Sequence, residues 1–529
     1  MALTAAALFV WFSPVRAVQC GPDEGMEFAK MRLMLDQPGG APLAWNDQPW
    51  FYSQVFASLF SVTGFQPWIP RLATLLMVAS LCAMFPRLMP SGASWPHLVC
   101  AWLFFWGANN IPHLSVSAMC ELPAFALAVV AAAVLPRSRA EWKPWRFVLS
   151  GALWAVAIQI KLTAVIVGPA AAVMLAVVWM RESKICPAWL VGRPTPWGGP
   201  AKPVDGASTG AGETPAVPLS WKSPVCGFVM FAGLFAVLAW WSPVWDWAQL
   251  WGSHQKADAA QQAIQYRFHP EKLLESAPGT LMAVALALLV LWRQRRLGEA
   301  LFPVALLATA FTIHLNHQPW WYYYGVQLTI PFALLGGWGA GELLRLGVRR
   351  ISKTTDSIAE IKEARPNGFQ RETAMMLGAL AISIWMAFEL PRGYEEAAGL
   401  NSRETIAESE VINVLKEYRG KVKWIYTRDN FAAVHAGYVV PPELTILSKK
   451  RFWSGNATER MVIDTVNRYQ CEILLLQSNL ELKNEEWKKV LADGYVSIWS
   501  DGAKEMYVAK RLNPQPKPDN NEWLKKLGL

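Results

Sequence analysis

Two adjacent acidic residues, Asp23 and Glu24, follow the first apolar stretch of the chain in the segment CGPDEGMEFAKMRL. A carboxylate that remains charged at the edge of an apolar layer can take a proton from a hydroxyl group and so act as a general base. Two carboxylates side by side also suit a hard divalent cation, so Asp23 and Glu24 could instead bind a metal. A third interpretation is an acidic loop that only faces solvent.

Two basic side chains stand beside long apolar runs. Lys161 divides AVAIQIKLTAVIVGPA into two apolar halves, and Arg71 begins the apolar run IPRLATLL. A cation in such a place either extends its stem until the charge reaches water or binds an anion, and arginine can hold a phosphate with its forked guanidinium group. Lys161 and Arg71 are therefore candidate phosphate ligands as well as candidate interfacial anchors.

Polar and aromatic groups in two further segments could line a binding pocket. Glu121, in SVSAMCELPAFALAVV, is predicted two turns inside an apolar span, where an ionisable residue either has a function or is bonded to a neighbouring helix. His314 and His317 open HLNHQPWWYYYG, whose aromatic run includes Trp320 and Tyr323. Aromatic residues gather at membrane interfaces in general, whereas the histidines could hydrogen-bond a sugar or a phosphate. Two histidines without a third ligand are weak grounds for a metal site.

These residues are distributed over a chain with the composition of a membrane protein. It has 529 residues, of which 53% are hydrophobic and 17% charged, and it contains 29 tryptophans. The apolar residues fall into blocks of roughly 15–22 residues, the length that a helix needs to cross the hydrocarbon core. We predict about eleven transmembrane helices, near residues 3–18, 70–89, 97–111, 115–135, 147–160, 163–180, 225–243, 278–292, 299–315, 323–342 and 373–390.

The basic residues predict the orientation of these helices. The formal net charge is +9, and the Lys and Arg residues collect in segments 136–146, 181–223, 293–296 and 345–353. Because cytoplasmic loops carry the excess of basic residues, these segments are predicted to be cytoplasmic, and we do not infer nucleic-acid binding. The outer side of the membrane then carries segment 19–69 and everything after residue 390. The membrane itself is predicted to be a bacterial inner or plasma membrane. Gly- and Pro-rich sequence predicts that 181–223 is a flexible loop.

The composition changes after residue 390, which divides the chain into a membrane domain, 1–390, and a small extracytoplasmic α/β domain, 391–529. In the second domain, segments 422–427 and 471–477 read as strands that alternate with helical segments. The segment GYVSIWSDGAKEMYVAKR predicts a hairpin that turns at Asp501-Gly502. No phosphate loop or nucleophile elbow occurs there, so we expect the chemistry in the first domain.

The sequence resembles the integral-membrane glycosyltransferases of the GT-C fold, in particular the branch that contains protein O-mannosyltransferases and lipid A aminoarabinose transferases. The resemblance rests on GPDEGMEFAKMRLML, WNDQPWFYSQVFASLFSVTGFQPWIPRLATLL and GALWAVAIQIKLTAV. It covers residues 1–180 well, the HQPWWYYYG segment more loosely and the C-terminal domain hardly at all. Relatives often have Lys-Pro-Pro where this chain has Gln48-Pro49-Trp50, so Gln48 replaces a cation that could contact a donor phosphate.

The resemblance implies a polyprenyl-phosphate-linked sugar as donor and inversion at the anomeric carbon. Asp23 matches the proposed base of the family and would deprotonate an acceptor hydroxyl on a lipid, a glycan or a protein. Glu24 would orient that base or help to hold a divalent metal, and Lys161 and Arg71 would neutralise the departing lipid phosphate. Residues 28–69 would form interfacial amphipathic helices, and Glu121, Gln48, His314, His317, Trp320 and Tyr323 would line the substrate pocket.

Two other classes of protein share some of these features. A lipid or solute transporter would also have many spans and buried charges, although transporters usually show internal repeats, and no repeat is visible in this sequence. A non-catalytic assembly scaffold would use the domain at 391–529 as its binding surface. The residues themselves leave these alternatives open, and the glycosyltransferase is the function that the resemblance favours.

Overall fold

The computed structural model describes residues 16–21, 23–36, 45–46, 48–182, 222–241, 249, 252–356 and 379–513. The described part of the chain is mostly helical up to residue 401 and mixed α/β after it. The helices of the first part are α1 Glu24–Asp36, α2 Phe51–Thr63, α3 Trp68–Leu88, α4 Trp95–Trp106, α5 Ile111–Ser115, α6 Glu121–Val134, α7 Pro144–Ile160, α8 Val167–Glu182, α9 Lys222–Trp241, α10 Ser253–Asp258, α11 Glu271–Ser276, α12 Pro278–Arg293, α13 Leu301–Asn316, α14 Val326–Asp356 and α15 Leu390–Asn401.

Helices occupy most of the described parts of the predicted apolar spans. Three helical segments are long and apolar enough to cross a membrane, Trp68–Leu88, Leu162–Met180 and Lys222–Trp241, and the bent pair Gln261–Ser276 and Pro278–Arg293 would make a fourth. Helices α6, α7 and α13 are apolar but shorter. By length and composition, the described residues thus contain three or four segments that could cross a membrane, and the number eleven stays a prediction.

Parts of three sequence predictions lie outside the described residues. The first span, 3–18, falls almost entirely within 1–15, and the loop 181–223 falls mostly within 183–221. The last span, 373–390, is described only from residue 379 onwards.

The position of Glu121 within its span differs from the prediction. Glu121 is the first residue of α6, whereas the sequence predicted it two turns inside a longer helix. The chain leaves α5 after Ser115 and turns, so that the Ala118 N–H can donate to the Glu24 carboxylate at 2.7 Å. This contact joins residues 94 positions apart, so the local apolar pattern carries no sign of it.

Small residues let α14 pack closely against α4 and α12. A Cβ atom on Gly337 would lie 2.3 Å from Cα of Ala101, and one on Gly341 would lie 2.4 Å from Cα of His97. On the side of α12, a Cβ atom on Gly339 would lie 2.5 Å from the Ala283 carbonyl oxygen. Such close backbone approach is the usual role of small residues between membrane helices. It fixes α14, and with it the 3₁₀ turn Tyr322–Gly325 that immediately precedes it.

The C-terminal domain is built on a four-stranded sheet. Its strands are β1 Ile425–Thr427, β2 Ile473–Gln477, β3 Tyr495–Ser500 and β4 Lys504–Ala509, in the order β1-β2-β4-β3. Strands β1 and β2 are parallel and the other pairs antiparallel. The predicted hairpin is present, with Gly502 at a φ of 87° between β3 and β4. The helices are α16 Glu410–Glu417, α17 Asn430–Ala436, α18 Lys449–Trp453, α19 Glu459–Tyr469 and α20 Glu485–Gly494.

Helix α1 lies between α2 of the helical part and α17 of the C-terminal domain. A Cβ atom on Gly25 would lie 2.8 Å from the ring of Phe431 on α17, so only glycine permits this contact. The Arg32 guanidinium donates to the Gly437 carbonyl at 3.1 Å, and a hydrogen bond of 2.8 Å joins His435 Nε2 to the Val18 carbonyl. The C-terminal domain therefore rests directly on the segment that carries the Asp23-Glu24 pair.

Candidate active site

Glu24 and Arg71 form a completely buried ion pair. The Arg71 Nε and Nη2 atoms donate to the two Glu24 carboxylate oxygens at 2.8 and 2.9 Å. Glu24 also accepts the N–H groups of Cys20 and Ala118, both at 2.7 Å, and Arg71 Nη1 donates to the Ala17 carbonyl at 2.9 Å. A buried ion pair is stable only when its remaining donors and acceptors are satisfied, as they are here. Through these hydrogen bonds, the ion pair connects Ala17 and Cys20 to α3 and to the turn before α6.

Asp23 points to a different environment from that of its neighbour. It is half-buried, directly before the first residue of α1, and it shares a hydrogen bond with the hydroxyl of Tyr323. Tyr323 belongs to the 3₁₀ turn before α14, so Asp23 and the HQPWWYYYG segment meet although some 300 positions separate them. The structure thus separates the two carboxylates, with Glu24 enclosed and Asp23 at the edge of the aromatic segment.

Glu121 and Lys161 form a second buried ion pair, in which Lys161 Nζ contacts Glu121 Oε1. Lys161 lies in the break between α7 and the 3₁₀ turn Leu162–Ile166, and Glu121 lies in the first turn of α6. The Lys161 ammonium is 6.0 Å from the ring centroid of Tyr324. Two residues that the sequence proposed separately are therefore partners, next to the same aromatic turn as Asp23.

A third buried pair lies on α1 itself and was not proposed from the sequence. Lys30 Nζ donates to Glu27 Oε1 at 2.7 Å, and the hydroxyl of Ser53 on α2 donates to Glu27 Oε2 at 2.8 Å. The thiol of Cys120 lies within electrostatic range of both Glu27–Lys30 and Glu121–Lys161. The spacing of Glu27 and Lys30 on one helix face could have indicated the pair, but its burial depends on the fold.

His314 is buried on α13 without a hydrogen-bond partner for either ring nitrogen among the described residues. Its ring is parallel to that of Tyr324 within 9°, with the centroids 6.3 Å apart, and it also contacts the rings of Phe268 and Trp320. The Nε1 atom of Trp320 is likewise buried and unpartnered within the described part of the chain. Buried polar atoms of proteins almost always have partners, so such a group of exceptions is consistent with a site for a polar ligand.

His317 and Gln48 lie near the same loops. His317 Nδ1 is 3.6 Å from Asp258 Oδ2, and the His317 ring is 6.1 Å from that of His254. Gln48 follows Trp45 and Asn46, which hydrogen-bond Ser253 and Gln249 respectively. The Gln48 Oε1 atom is buried, with no partner among the residues that the structure describes. Trp45 and Asn46, just before Gln48, thus contact Ser253 and Gln249, and His317 lies beside His254 and Asp258 of the same helix α10 as Ser253.

Two functional candidates were missed by sequence reasoning, Tyr324 and Lys450. Tyr324 belongs to the aromatic run that was noted as a whole, but only the structure identifies it as the ring around which Lys161, His314 and His317 assemble. Lys450 is a buried lysine on α18 that donates to the Tyr324 hydroxyl at 3.2 Å. Its segment, SKKRFW, reads as an ordinary basic surface helix, so nothing local could have indicated this contact.

The geometry of Asp23 and Glu24 does not favour a metal site shared by the two carboxylates. Both Glu24 oxygens are already occupied by Arg71 and by backbone N–H groups, which leaves Asp23 as a single carboxylate ligand. The described residues also contain no group of three or more His, Cys, Asp or Glu side chains arranged to bind a metal ion.

No protein-family model matches the chain, and the comparison with curated proteins gives no match either. Two solved structures match it along nearly its whole length. ArnT from Cupriavidus metallidurans bound to undecaprenyl phosphate has a TM-score of 0.55 at 15% sequence identity, over 95% of this chain and 96% of ArnT. The apo state of the same protein has a TM-score of 0.53 at 15% identity, over 97% of this chain and 98% of ArnT. The chain therefore has the GT-C fold that its sequence resemblance predicts.

Proposed function

We propose that the protein is an integral-membrane glycosyltransferase that moves a sugar from a polyprenyl-phosphate donor to an acceptor hydroxyl. The observation that carries this proposal is the likeness in fold, along 95% of the chain, to ArnT in complex with undecaprenyl phosphate. Because the likeness at 15% identity extends only to the fold, the assignment of roles depends on the residues of this chain. The acceptor is a lipid, a glycan or a protein.

Asp23 is the general base in this proposal. Its half-buried carboxylate, hydrogen-bonded to Tyr323, takes the proton of the acceptor hydroxyl. The acceptor oxygen then forms a bond to the anomeric carbon while the bond from that carbon to the donor phosphate oxygen breaks, with inversion. The electron pair of the broken bond remains on the phosphate, and a cation close to the leaving group lowers the barrier by stabilising this charge.

Lys161 supplies a cation for the leaving phosphate, held in place by Glu121 and facing the Tyr324 ring. Arg71 was predicted to share this role, but its guanidinium group is bound to Glu24 and to the Ala17 carbonyl. We therefore assign Arg71 and Glu24 to positioning, since together they hold the segment on which Asp23 is mounted. The buried atoms of Gln48, His314 and Trp320 that have no partner among the described residues are available to the sugar or the phosphate.

The orientation follows from the basic residues of the sequence. With segments 136–146, 293–296 and 345–353 in the cytoplasm, Asp23 and the domain at 391–529 face the outside of the bacterial inner or plasma membrane. A lipid-linked donor would reach the pocket from the bilayer, and the acceptor hydroxyl would enter from the aqueous side.

The test compares the wild-type protein with the Asp23→Asn variant. The amide keeps the shape of the side chain but cannot take the proton, so we expect transfer to fall by about 10²–10⁴-fold while folding and donor binding persist. Mass spectrometry of lipids that co-purify with each protein should detect a polyprenyl phosphate carrying a sugar, enriched on the variant because turnover has stopped. The mass of that sugar would also identify the donor.

Asp36→Asn is the matched control, because Asp36 ends the same helix and is exposed. This control should transfer sugar like the wild type. Full activity of Asp23→Asn would overturn the assignment of the base. If no sugar-bearing polyprenyl phosphate accompanies any of the three proteins, and none transfers sugar when that lipid is added, a transporter becomes the better description.

A further inference from the structure

Lys450 is a buried cation that the C-terminal domain inserts into the aromatic turn of the helical part. Its side chain belongs to α18, and the residue is only 7% exposed. The ammonium group donates to the Tyr324 hydroxyl at 3.2 Å, lies 3.4 Å from His254 Nδ1, and is 5.8 Å from the Tyr324 ring centroid.

Lys450 has no carboxylate partner among the described residues, whereas the buried cations Lys161, Lys30 and Arg71 each have one, and its buried neighbour Arg451 donates to the Glu443 and Ile446 carbonyls. Lys161 is paired with Glu121, Lys30 with Glu27, and Arg71 with Glu24. Lysine is almost never fully buried unless it is paired, because the desolvation of an ammonium group costs several kcal/mol. A phenol, an imidazole and an aromatic face satisfy part of this requirement but supply no negative charge. The site is therefore suited to an anion that the protein does not provide.

The surroundings of Lys450 carry further positive or neutral nitrogen groups. Lys161 Nζ lies 6.0 Å from the same Tyr324 ring centroid, and the His314 ring lies parallel to that ring with both nitrogens unpartnered within the described residues. Of the nearby acids, Glu121 is paired with Lys161 and Asp258 Oδ2 lies 3.6 Å from His317 Nδ1, while Asp258 Oδ1 is buried with no hydrogen-bond partner among the described residues. Within the described part of the chain, a buried ammonium without a carboxylate partner and a buried imidazole without a hydrogen-bond partner thus both lie against one tyrosine.

We propose that Lys450 is a ligand of the donor phosphate, supplied by the C-terminal domain, and that it works with Lys161, whose ammonium group lies near the same Tyr324 ring. This inference rests on the proposed function, and it assigns to Lys450 the second cation that the sequence had assigned to Arg71. The chemistry recognised is a phosphate group on a membrane lipid, which a polyprenyl phosphate and an ordinary phospholipid headgroup share. An acceptor-independent binding measurement can separate these sources.

The experiment measures binding of undecaprenyl phosphate to the full chain in lipid nanodiscs, with Lys450→Met compared with Lys449→Met. Lys449 is the ideal control because it adjoins Lys450 but is exposed, with its ammonium group 3.0 Å from the Tyr266 hydroxyl. Because hydrogen bonds to charged groups are among the strongest, we expect Lys450→Met to weaken binding by about tenfold or more and Lys449→Met to leave it unchanged. Undecaprenol, which has the same chain without phosphate, should bind wild type and Lys450→Met equally.

The undecaprenol arm separates a ligand from a structural residue. If Lys450→Met loses undecaprenol and undecaprenyl phosphate alike, the lysine only holds the two domains together, and the inference fails. Lys450→Arg keeps the charge and should restore most of the preference for phosphate over alcohol, so a misfolded methionine variant would not leave the question open. Equal displacement of bound undecaprenyl phosphate by phosphatidylglycerol would mean that the site binds any phospholipid headgroup and would overturn the assignment to the donor.

The outcomes also distinguish this inference from the proposed function. If wild type and Lys450→Met bind undecaprenyl phosphate equally, Lys450 is not a ligand but the glycosyltransferase proposal stands. If the wild type does not bind undecaprenyl phosphate at all, both fail together.

Discussion

The pairing of Glu24 with Arg71 separates two carboxylates that their residue types alone do not distinguish. Asp23 and Glu24 are adjacent, and only the family resemblance implied different roles for them, with Asp23 as the base and Glu24 as the residue that orients it or helps to hold a metal. The fold encloses Glu24 between Arg71 and two N–H groups, while Asp23 meets Tyr323. Arg71 is 47 positions from Glu24, so its residue type and depth indicated an anion partner without saying which. A phosphate was a reasonable expectation, and the carboxylate is the partner in the structure.

We expect Glu24→Gln to destabilise the protein strongly. The substitution leaves the Arg71 guanidinium buried without a counter-charge, a change that typically costs about 3–5 kcal/mol. Thermal unfolding of the purified protein should show the loss, and Glu24→Gln with Arg71→Met should recover part of it because the uncompensated charge is gone. Asp36→Asn, which weakens the more exposed pair with Arg32, should cost less than about 1 kcal/mol. If Glu24→Gln unfolded like the wild type and lost only donor binding, Glu24 and Arg71 would belong to the substrate site.

At the scale of elements, α1 is the helix on which the site depends, and it is more enclosed than the sequence predicted. Residues 28–69 were expected to lie along the interface with one apolar face. Helix α2 has one buried face, with Tyr52 and Phe60, and leaves the apolar side chains of Leu59 and Val62 exposed, and its place at the interface stays a prediction. Helix α1 instead buries residues over most of its length because α2 packs on one side and α17 on another. The sequence of α1 could not predict this, because the covering helix comes from the far end of the chain.

The positions of the other elements were largely predictable because they depend on local sequence patterns. Features that depend on contacts between distant residues were not predictable. Apolar length predicts a membrane helix and alternation with turn residues predicts the β3–β4 hairpin, because both patterns are local. The start of α6 at Glu121 depends on the contact of the Ala118 N–H with Glu24, which is not local. The same holds for the site, where residue types gave Asp23, Lys161 and Glu121 but not their partners.

The contact between α17 and the first segment should weaken in acid. Burial lowers the pKa of His435 to about 4, with Arg71 acting in the same direction, while the Val18 carbonyl, Glu24 and Asp429 act against it. An unfolded histidine titrates near 6.5, so between pH 6.5 and 4 the unfolded state binds more protons than the folded state. The free energy of unfolding should therefore fall as the pH falls through this window, by up to about 3 kcal/mol.

Thermal unfolding at a series of pH values would measure this effect. His435→Gln should show a weaker dependence between pH 6.5 and 4 than the wild type, because glutamine does not titrate. His269→Gln, at an exposed histidine beside Glu271, should keep the wild-type profile. A His435→Gln profile identical to that of the wild type would mean that another group causes the acid sensitivity.

At the scale of the whole molecule, the C-terminal domain takes part in building the site. It covers α1 through Phe431 and His435, and it reaches the aromatic turn through Lys450. A C-terminal domain that only bound a partner protein would not need a buried lysine of its own in contact with Tyr324 of the helical part. The interface therefore joins the two parts into one structural unit, and separation of the parts should disturb the site even if each remains folded.

The substitution Gly25→Leu tests the contact between the two parts where α1 and α17 approach most closely, at Gly25 and Phe431. A Cβ atom at Gly25 would lie 2.8 Å from the ring of Phe431, which is itself buried, so one of the two must shift. We expect the variant to keep both folded parts but to lose their contact, so that the single thermal transition of the wild type splits into two and undecaprenyl phosphate binding weakens with it. Phe431→Ala in the same chain removes the overlap and should restore a single transition, whereas Met26→Leu, a volume-conserving change beside it, should have little effect. A Gly25→Leu protein that still unfolds in one step and binds lipid normally would show that the contact between α1 and α17 does not hold the domains together. The lipid site would then have to be explained by the helical part alone.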